Sequence, residues 1–398
     1  MKLTWPTKKL REICIENVKS PFKVEDASNS GEYPFYTSGE KVLTHDKYLV
    51  DGENIFLATG GYATVKYYNG KASYSTDTWS LKVKAVLTKF VYYQILVRLK
   101  YIDEVLFRGS GLRHLQKREF LNLEIPVPPL PIQQNIVKIL DTIQEAIDIQ
   151  DKIIEKTKEL KKSLMAELFK YGGPSFRKGR KLKQTEIGEI PEDWEVVRLG
   201  EICEIVYGVQ ASVSELKEET GRIPILTNKN ITDEGTIDLA NLNFYPEDLI
   251  DSKKHLLKKG DIILNWRSGS VEHVGKSALF NLEGKFTFAS FLLRFRPKPN
   301  VTNSYFLNSY LNKTRKEGFL KFFAHQASIN QSLNASISSN IPIPLPSLPE
   351  QQEIAEILQT VDQKIDIERR KKELYEELFK TVLNKIMNQE IDVESVDF

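Results

Sequence analysis

Between Gln133 and Phe169 the chain holds neither Pro nor Gly, and its apolar residues fall on a repeat of alternating threes and fours: Ile136, Leu140, Ile143, Ile147, Ile154, Leu164 and Leu168. A period of 3.5 is the seam of a coiled coil, not the alternation of a strand. The rhythm returns near the C-terminus with Ile354, Leu358, Val361, Ile365, Tyr375, Phe379, Val382 and Ile386. Each run predicts one long helix, the first spanning roughly 55 Å at about 1.5 Å per residue. Both seams are interrupted at the same slot by a polar residue, Gln150 and Glu368. A polar slot either sets register or marks a local loss of seam contact. Pro126, Pro128, Pro129 and Pro131 precede the first helix, and Pro342, Pro344, Pro346 and Pro349 the second. Without amide donors these runs predict a stiff, extended approach and no helix before Gln133 or Glu350.

The two helices belong to a longer repeat. Trp5 to Cys14 matches Trp194 to Cys203 at an offset of 189, so the two cysteines are one position seen twice. Gly52 to Leu57 matches Gly260 to Asn265 at offset 208, and Trp79 to Val83 matches Phe291 to Phe295 at offset 212. Ile125-Pro-Val-Pro matches Ile341-Pro-Ile-Pro at offset 216, and Pro131-Ile-Gln-Gln matches Pro349-Glu-Gln-Gln at offset 218. Five blocks in one order, with offsets that only grow, are a duplication with small insertions. The chain then divides into a head at 1–130, a helix at 131–170, a linker at 171–189, a second head at 190–346, a second helix at 347–390 and a tail at 391–398. Strand-like alternation mixed with helical segments makes the fold class α+β. Helices that pair through these seams must run antiparallel, which places two related heads about a pseudo-two-fold axis.

Composition changes this picture only locally. The 398 residues carry 56 Lys and Arg against 54 Asp and Glu, a net charge of +2 that excludes a uniformly basic histone-like protein and an acidic disordered one. By segment the balance is uneven: 19 basic against 13 acidic residues over 1–120, and 7 against 13 over 350–398. The second head is even, at 18 of each over 190–340. The linker, with Arg177, Lys178, Arg180, Lys181 and Lys183, reads as solvated. Two cysteines exclude a disulfide framework and fit a reducing cytoplasm, and no apolar run is long enough to cross a membrane.

Catalytic motifs do not emerge. Gly269 to Ser277 imitates a phosphate-binding loop, but five residues separate Gly269 from Gly275 where four are needed. Phe107-Arg-Gly-Ser-Gly111 imitates a glycine turn for S-adenosylmethionine, and reads equally as a tight turn between elements. Side chains suited to base edges and phosphates lie on predicted loops. In the first head these are Thr59, Tyr62, Lys66, Lys71, Arg113 and Lys117; in the second, Asn228, Lys229, Asn230, Asn265, Arg267 and Ser268. Tyr67 and Trp266 suit core or interface equally.

The duplicated Ile-Pro-hydrophobic-Pro run, the Pro-x-Gln-Gln opening of each long helix and Ile187-Gly-Glu-Ile-Pro-Glu-Asp-Trp194 before the second head together closely resemble the specificity subunit of type I restriction-modification systems. The resemblance covers essentially the whole chain. It implies two target recognition domains that each read one part of a split site in double-stranded DNA, and two spacer helices that form an antiparallel coiled coil. It also implies docking of two methyltransferase subunits and of restriction subunits. S-adenosylmethionine, ATP and Mg would then sit on those partners, and the chain would be a non-catalytic, cytoplasmic subunit with no cofactor or metal of its own. Other readings are a self-contained adenine-specific DNA methyltransferase and a coiled-coil scaffold protein.

Overall fold

The computed structural model describes residues 5–210, 222–268, 271–327 and 332–393. They form two compact units, one of Met1–Lys152 with Arg369–Phe398 and one of Ile153–Glu368.

In the first unit, strands Cys14–Glu16, Thr78–Val83, Glu53–Ala58 and Val65–Asn69 lie in that order in one antiparallel sheet. Alternation divides their side chains between two faces. Ile55, Leu57, Trp79 and Leu81 pack with Leu10, Phe90, Phe120 and Ile125, and this core is joined by Ile136 and Leu140 of the first long helix and Leu383 and Ile386 of the second. Phe56 points the other way and stacks on Tyr36, centroids 4.2 Å apart, beside a smaller three-stranded sheet. In the second unit, Cys203–Tyr207, Leu292–Pro297, Ile262–Asn265 and Ser277–Leu279 repeat the strand order. The proline runs become strands in both: Glu124–Pro126 pairs with Thr7–Lys9, and Pro342–Leu345 with Glu195–Arg198.

Register corrects the repeat at two blocks. An offset of 208 equates Ile55 with Ile263, yet Ile55 faces the main core of its unit whereas Ile263 lies on the opposite face of its sheet with Leu292. The core-facing residues there are Ile262, Leu264, Leu293 and Phe295. In both sheets, the partner of the duplicated cysteine, Val83 or Pro297, stands two residues beyond the partner of Ile55 or Ile262. The strand offset is therefore 207, Ile55 with Ile262, and buried Asn54 matches buried Asp261. On the same pairing, Trp79 matches Leu293 rather than Phe291. A one-residue slip turns every side chain of a strand to the other face, so the loop before the strand, not the strand, absorbed the length change.

The long helices run Leu130–Tyr171 and Leu348–Met387, each starting before the predicted residue. Pro131 and Pro349 lie in the first turn, where an amide has no intrahelical partner to lose. The duplicated glutamine then shows its purpose. Buried Gln133 donates to Pro128 O (2.8 Å) and accepts from Leu87 N (3.0 Å). Gln351 likewise donates to Pro346 O (2.9 Å) and accepts from Asn303 N (2.8 Å). Leu87 and Asn303 are the N-caps of helices Thr88–Leu96 and Ser304–Lys316, so one amide side chain ties proline run, long helix and head together in each repeat.

Within each unit the long-helix segments pack antiparallel. Asp151 and Lys372 meet at 2.7 Å in the first unit, and Lys161 and Asp362 at 2.6 Å in the second. Of the seam residues, Ile136, Leu140, Ile147, Ile154, Leu168, Ile354, Leu358, Ile365 and Ile386 are buried, and Ile143, Leu164, Val361, Tyr375, Phe379 and Val382 half-buried. Gln150 and Glu368 are buried as well, so the seam is not lost at the polar slot.

The linker departs from expectation. It forms a hairpin, Leu182–Thr185 with Gly188–Pro191, and Arg180 is drawn in by Asp193 and the buried carboxylate of Glu350. A carboxylate with no water around it requires a cation and donors, which overrides the solvation expected of a basic stretch.

Burial pushes the thiols of Cys14 and Cys203 up to about 12. Because the thiolate is the reactive form, native protein at pH 8 is expected to resist iodoacetamide while urea-unfolded protein takes up two labels, as read by intact mass. Alkylation of both at the rate of a free thiol contradicts this.

Candidate nucleic-acid interface

In the first unit two loops are clamped together. The loop from 59 to 64 joins strands Glu53–Ala58 and Val65–Asn69, and a short hairpin pairs Phe107–Arg108 with His114–Leu115. Leu115 N donates to Thr59 O (3.0 Å) and Gly61 N to Arg113 O (2.9 Å). Asp103 closes the clamp: its carboxylate accepts from Ala63 N at 2.7 Å and from the Arg113 guanidinium at 3.1 and 3.2 Å. The Ala63 amide, reinforced by Arg113, holds the Asp103 carboxyl below its usual range. Gly109, at φ 149°, makes the hairpin turn where an added Cβ would lie 2.6 Å from Leu112 O. The glycine-turn resemblance at 107–111 is thus a tight turn between strands.

The structure distributes the first-head candidates unequally. Tyr62 is 76% exposed, and Arg113 lies against its ring with Cζ 5.4 Å from the centroid. Arg113 itself is committed to Asp103 and serves the loop, not a free phosphate. Lys66 donates to Thr37 O (3.0 Å) and to Gly39 O, and burial lowers its pKa. Lys71 is exposed, with its ammonium 4.9 Å from the Tyr48 centroid. Thr59 donates to Asp77 O (2.7 Å). Tyr67 donates to Glu53 at 2.5 Å at the edge of the sheet.

Lys117 is exposed, with its ammonium 4.6 Å from the Trp79 ring, at the rim of a polar cavity of about 330 Å³ that Asn17, Lys19, Thr59 and Ser80 also line. Partial burial lowers the Lys117 pKa. Sequence reasoning missed Asn17 and Lys19. Their only signal was a strand ending in polar Glu16-Asn17 and followed by Val18, which stands 76% exposed.

In the second unit two candidates face inward. Asn230 is buried, its oxygen accepting from Thr227 N (2.9 Å) and its amide donating to Asp238 O (2.9 Å), which is a capping duty. Asn265 is completely buried at the end of its strand. An asparagine amide suits base edges, and so short a polar side chain suits a turn or strand end equally well. Lys229 and Arg267 are exposed, and Asn228 and Ser268 half-buried. Trp266 donates to Ser290 O at 2.7 Å and meets Tyr207 edge-on. The imitation phosphate loop leads into a strand, with Lys276 buried and paired with Asp233 at 3.0 Å, while Gly269 and Ser270 lie outside the described residues.

Among the described residues no cluster of His, Cys, Asp and Glu is arranged to hold a metal ion, and no helix is long and apolar enough to cross a membrane.

The family model for the type I restriction modification DNA specificity domain matches residues 2–159 and 191–377. The chain is 28% identical over 404 residues to the type I restriction enzyme MjaVIII specificity subunit of Methanocaldococcus jannaschii, covering 96% of this chain and 91% of that one. It is 23% identical to the type I restriction enzyme EcoDI specificity subunit of Escherichia coli, covering 89% and 80%. The crystal structure of the type I restriction-modification S subunit from M. genitalium superposes with a TM-score of 0.62 at 17% identity, covering 96% of this chain and 95% of that one.

Proposed function

The chain belongs to the type I restriction modification DNA specificity family, and from that premise we propose that its two heads read the two parts of a split duplex site. The observation that carries this is one frame used twice with different loops. Both heads keep the strand order and the glutamine tie, while the segment after the central strand is Thr-Gly-Gly-Tyr62 in the first and Trp-Arg-Ser268 in the second. A conserved frame with divergent loops supports equivalent placement of unlike base contacts. Exposed Tyr62, Lys71, Lys117, Lys229 and Arg267 stand as the contact candidates.

In this reading the long helices dock two methyltransferase subunits, to which restriction subunits add. The helix length between the heads sets the number of unread base pairs, as dimer geometry sets half-site spacing. S-adenosylmethionine, ATP and Mg are assigned to those partners, and this chain supplies recognition without catalysis.

Co-expression with the methyltransferase subunit and genome-wide mapping of modified adenines is expected to return a split motif. A contiguous motif, or none, overturns the reading. So does methylation of DNA by the purified chain alone.

A further inference from the structure

Tyr62 is held from every side except the one that would bury it. The amide before it, Gly61 N, is fixed to Arg113 O at 2.9 Å, and the amide after it, Ala63 N, to the Asp103 carboxylate at 2.7 Å. The Arg113 guanidinium lies against the ring, 5.4 Å from its centroid, and is itself locked by three hydrogen bonds to Asp103. Yet the tyrosine is 76% exposed, and Leu112 on the adjoining turn is 65% exposed. Ordering a bulky side chain costs conformational entropy that burial ordinarily offsets, and here burial is missing.

The chemistry of the surroundings selects the occupant. With its positive charge spent on Asp103, Arg113 acts as a plate behind the ring and not as a phosphate clamp. The strand that follows, His114–Leu115, carries exposed His114, and the helix Lys117–Leu121 after it carries exposed Lys117 and Arg118, in a segment with more basic than acidic residues. A flat aromatic surface with basic side chains in the same segment fits a nucleobase better than an apolar protein groove.

Building on the DNA-reading function, we propose that Tyr62 is a stacking wedge: as the first head engages its part of the site, the phenol ring covers the face of a base at an opened step, and Leu112 follows it into the gap. Apolar and aromatic wedges of this kind unstack and kink the duplex, so the site would be selected partly by how easily that step opens.

The test uses the complex with its methyltransferase subunits and a duplex carrying the mapped motif, with 2-aminopurine moved step by step through both parts. Wild type is expected to raise the fluorescence at one step of the part read by the first head. Tyr62→Ala is expected to abolish that rise and weaken binding about five- to hundred-fold, the range for loss of one base–aromatic stack, without affecting probes in the other part. Tyr62→Phe, which keeps the ring, retains the signal and the affinity.

The proposal is overturned if Tyr62→Ala matches wild type in both readouts, or if Tyr62→Phe loses as much as Ala, which would make the hydroxyl the contact. It is also overturned if Tyr62→Ala weakens subunit assembly while DNA binding is unchanged, since the ring then meets protein. A wild-type complex that selects no duplex removes the DNA-reading function itself, and the wedge with it.

Discussion

Glu350→Ala is expected to destabilise the second unit by about 3–5 kcal/mol, the range for stripping one partner from a buried ion pair. The Glu350 carboxylate is 1% exposed and accepts from four donors: both terminal nitrogens of Arg180, Trp194 Nε1 at 3.0 Å and Gly173 N at 3.0 Å. Its hydrogen bonds raise the Arg180 pKa above its ordinary value, so the guanidinium stays charged. Removing the carboxylate leaves that charge with Asp193 alone, and leaves the indole and the glycine amide without their acceptor. Glu350→Gln keeps an acceptor but not the charge, and is expected to fall between wild type and Ala. Urea unfolding followed by tryptophan fluorescence measures the difference. A loss below about 1 kcal/mol from Glu350→Ala would show that the cluster is solvated in solution, as surface pairs are.

The second large effect concerns the spacer. Four residues inserted at matched seam positions of both helices are expected to widen the gap between the two parts of the recognised site by one to two base pairs, leaving each part unchanged. Four residues lengthen a helix by about 6 Å against roughly 3.4 Å per base pair. They also rotate the seam by only about 40°, which a coiled coil absorbs as a local stutter. Mapping modified adenines in cells carrying the altered chain reads the result. An unchanged gap would remove the role of the helices as a ruler, and a changed half-motif would show that the insertion had disturbed a head.

The particular residues show why some features were legible and others were not. The seams could be read because a packed helix pair imposes a period on many residues at once, and no single exception erases it. Gln133 and Gln351 stood out by repetition, although their duty as ties appears only with the distant amides of Leu87 and Asn303 in place. Glu350 could not be anticipated, because the other repeat has Ile132 at that position and the need for Arg180 arises from burial alone. Asn230, Asn265 and Arg113 were reasonable choices by residue type. Type says what a side chain can bond, not whether a neighbour has already taken it, as with Asn230 and Arg113, or whether the fold has buried it, as with Asn265.

The sequence by itself therefore determined the duplication, the antiparallel helix pairing and the α+β heads, because each is a periodic or repeated pattern that local chemistry enforces. The tertiary structure alone decided which polar groups remain free. Tyr62 is presented and Asn265 withdrawn because Asp103, forty residues from Ala63 in the chain, closes one loop, while the end of a buried strand encloses the other. Those outcomes depend on contacts between distant segments, whose geometry no local pattern encodes.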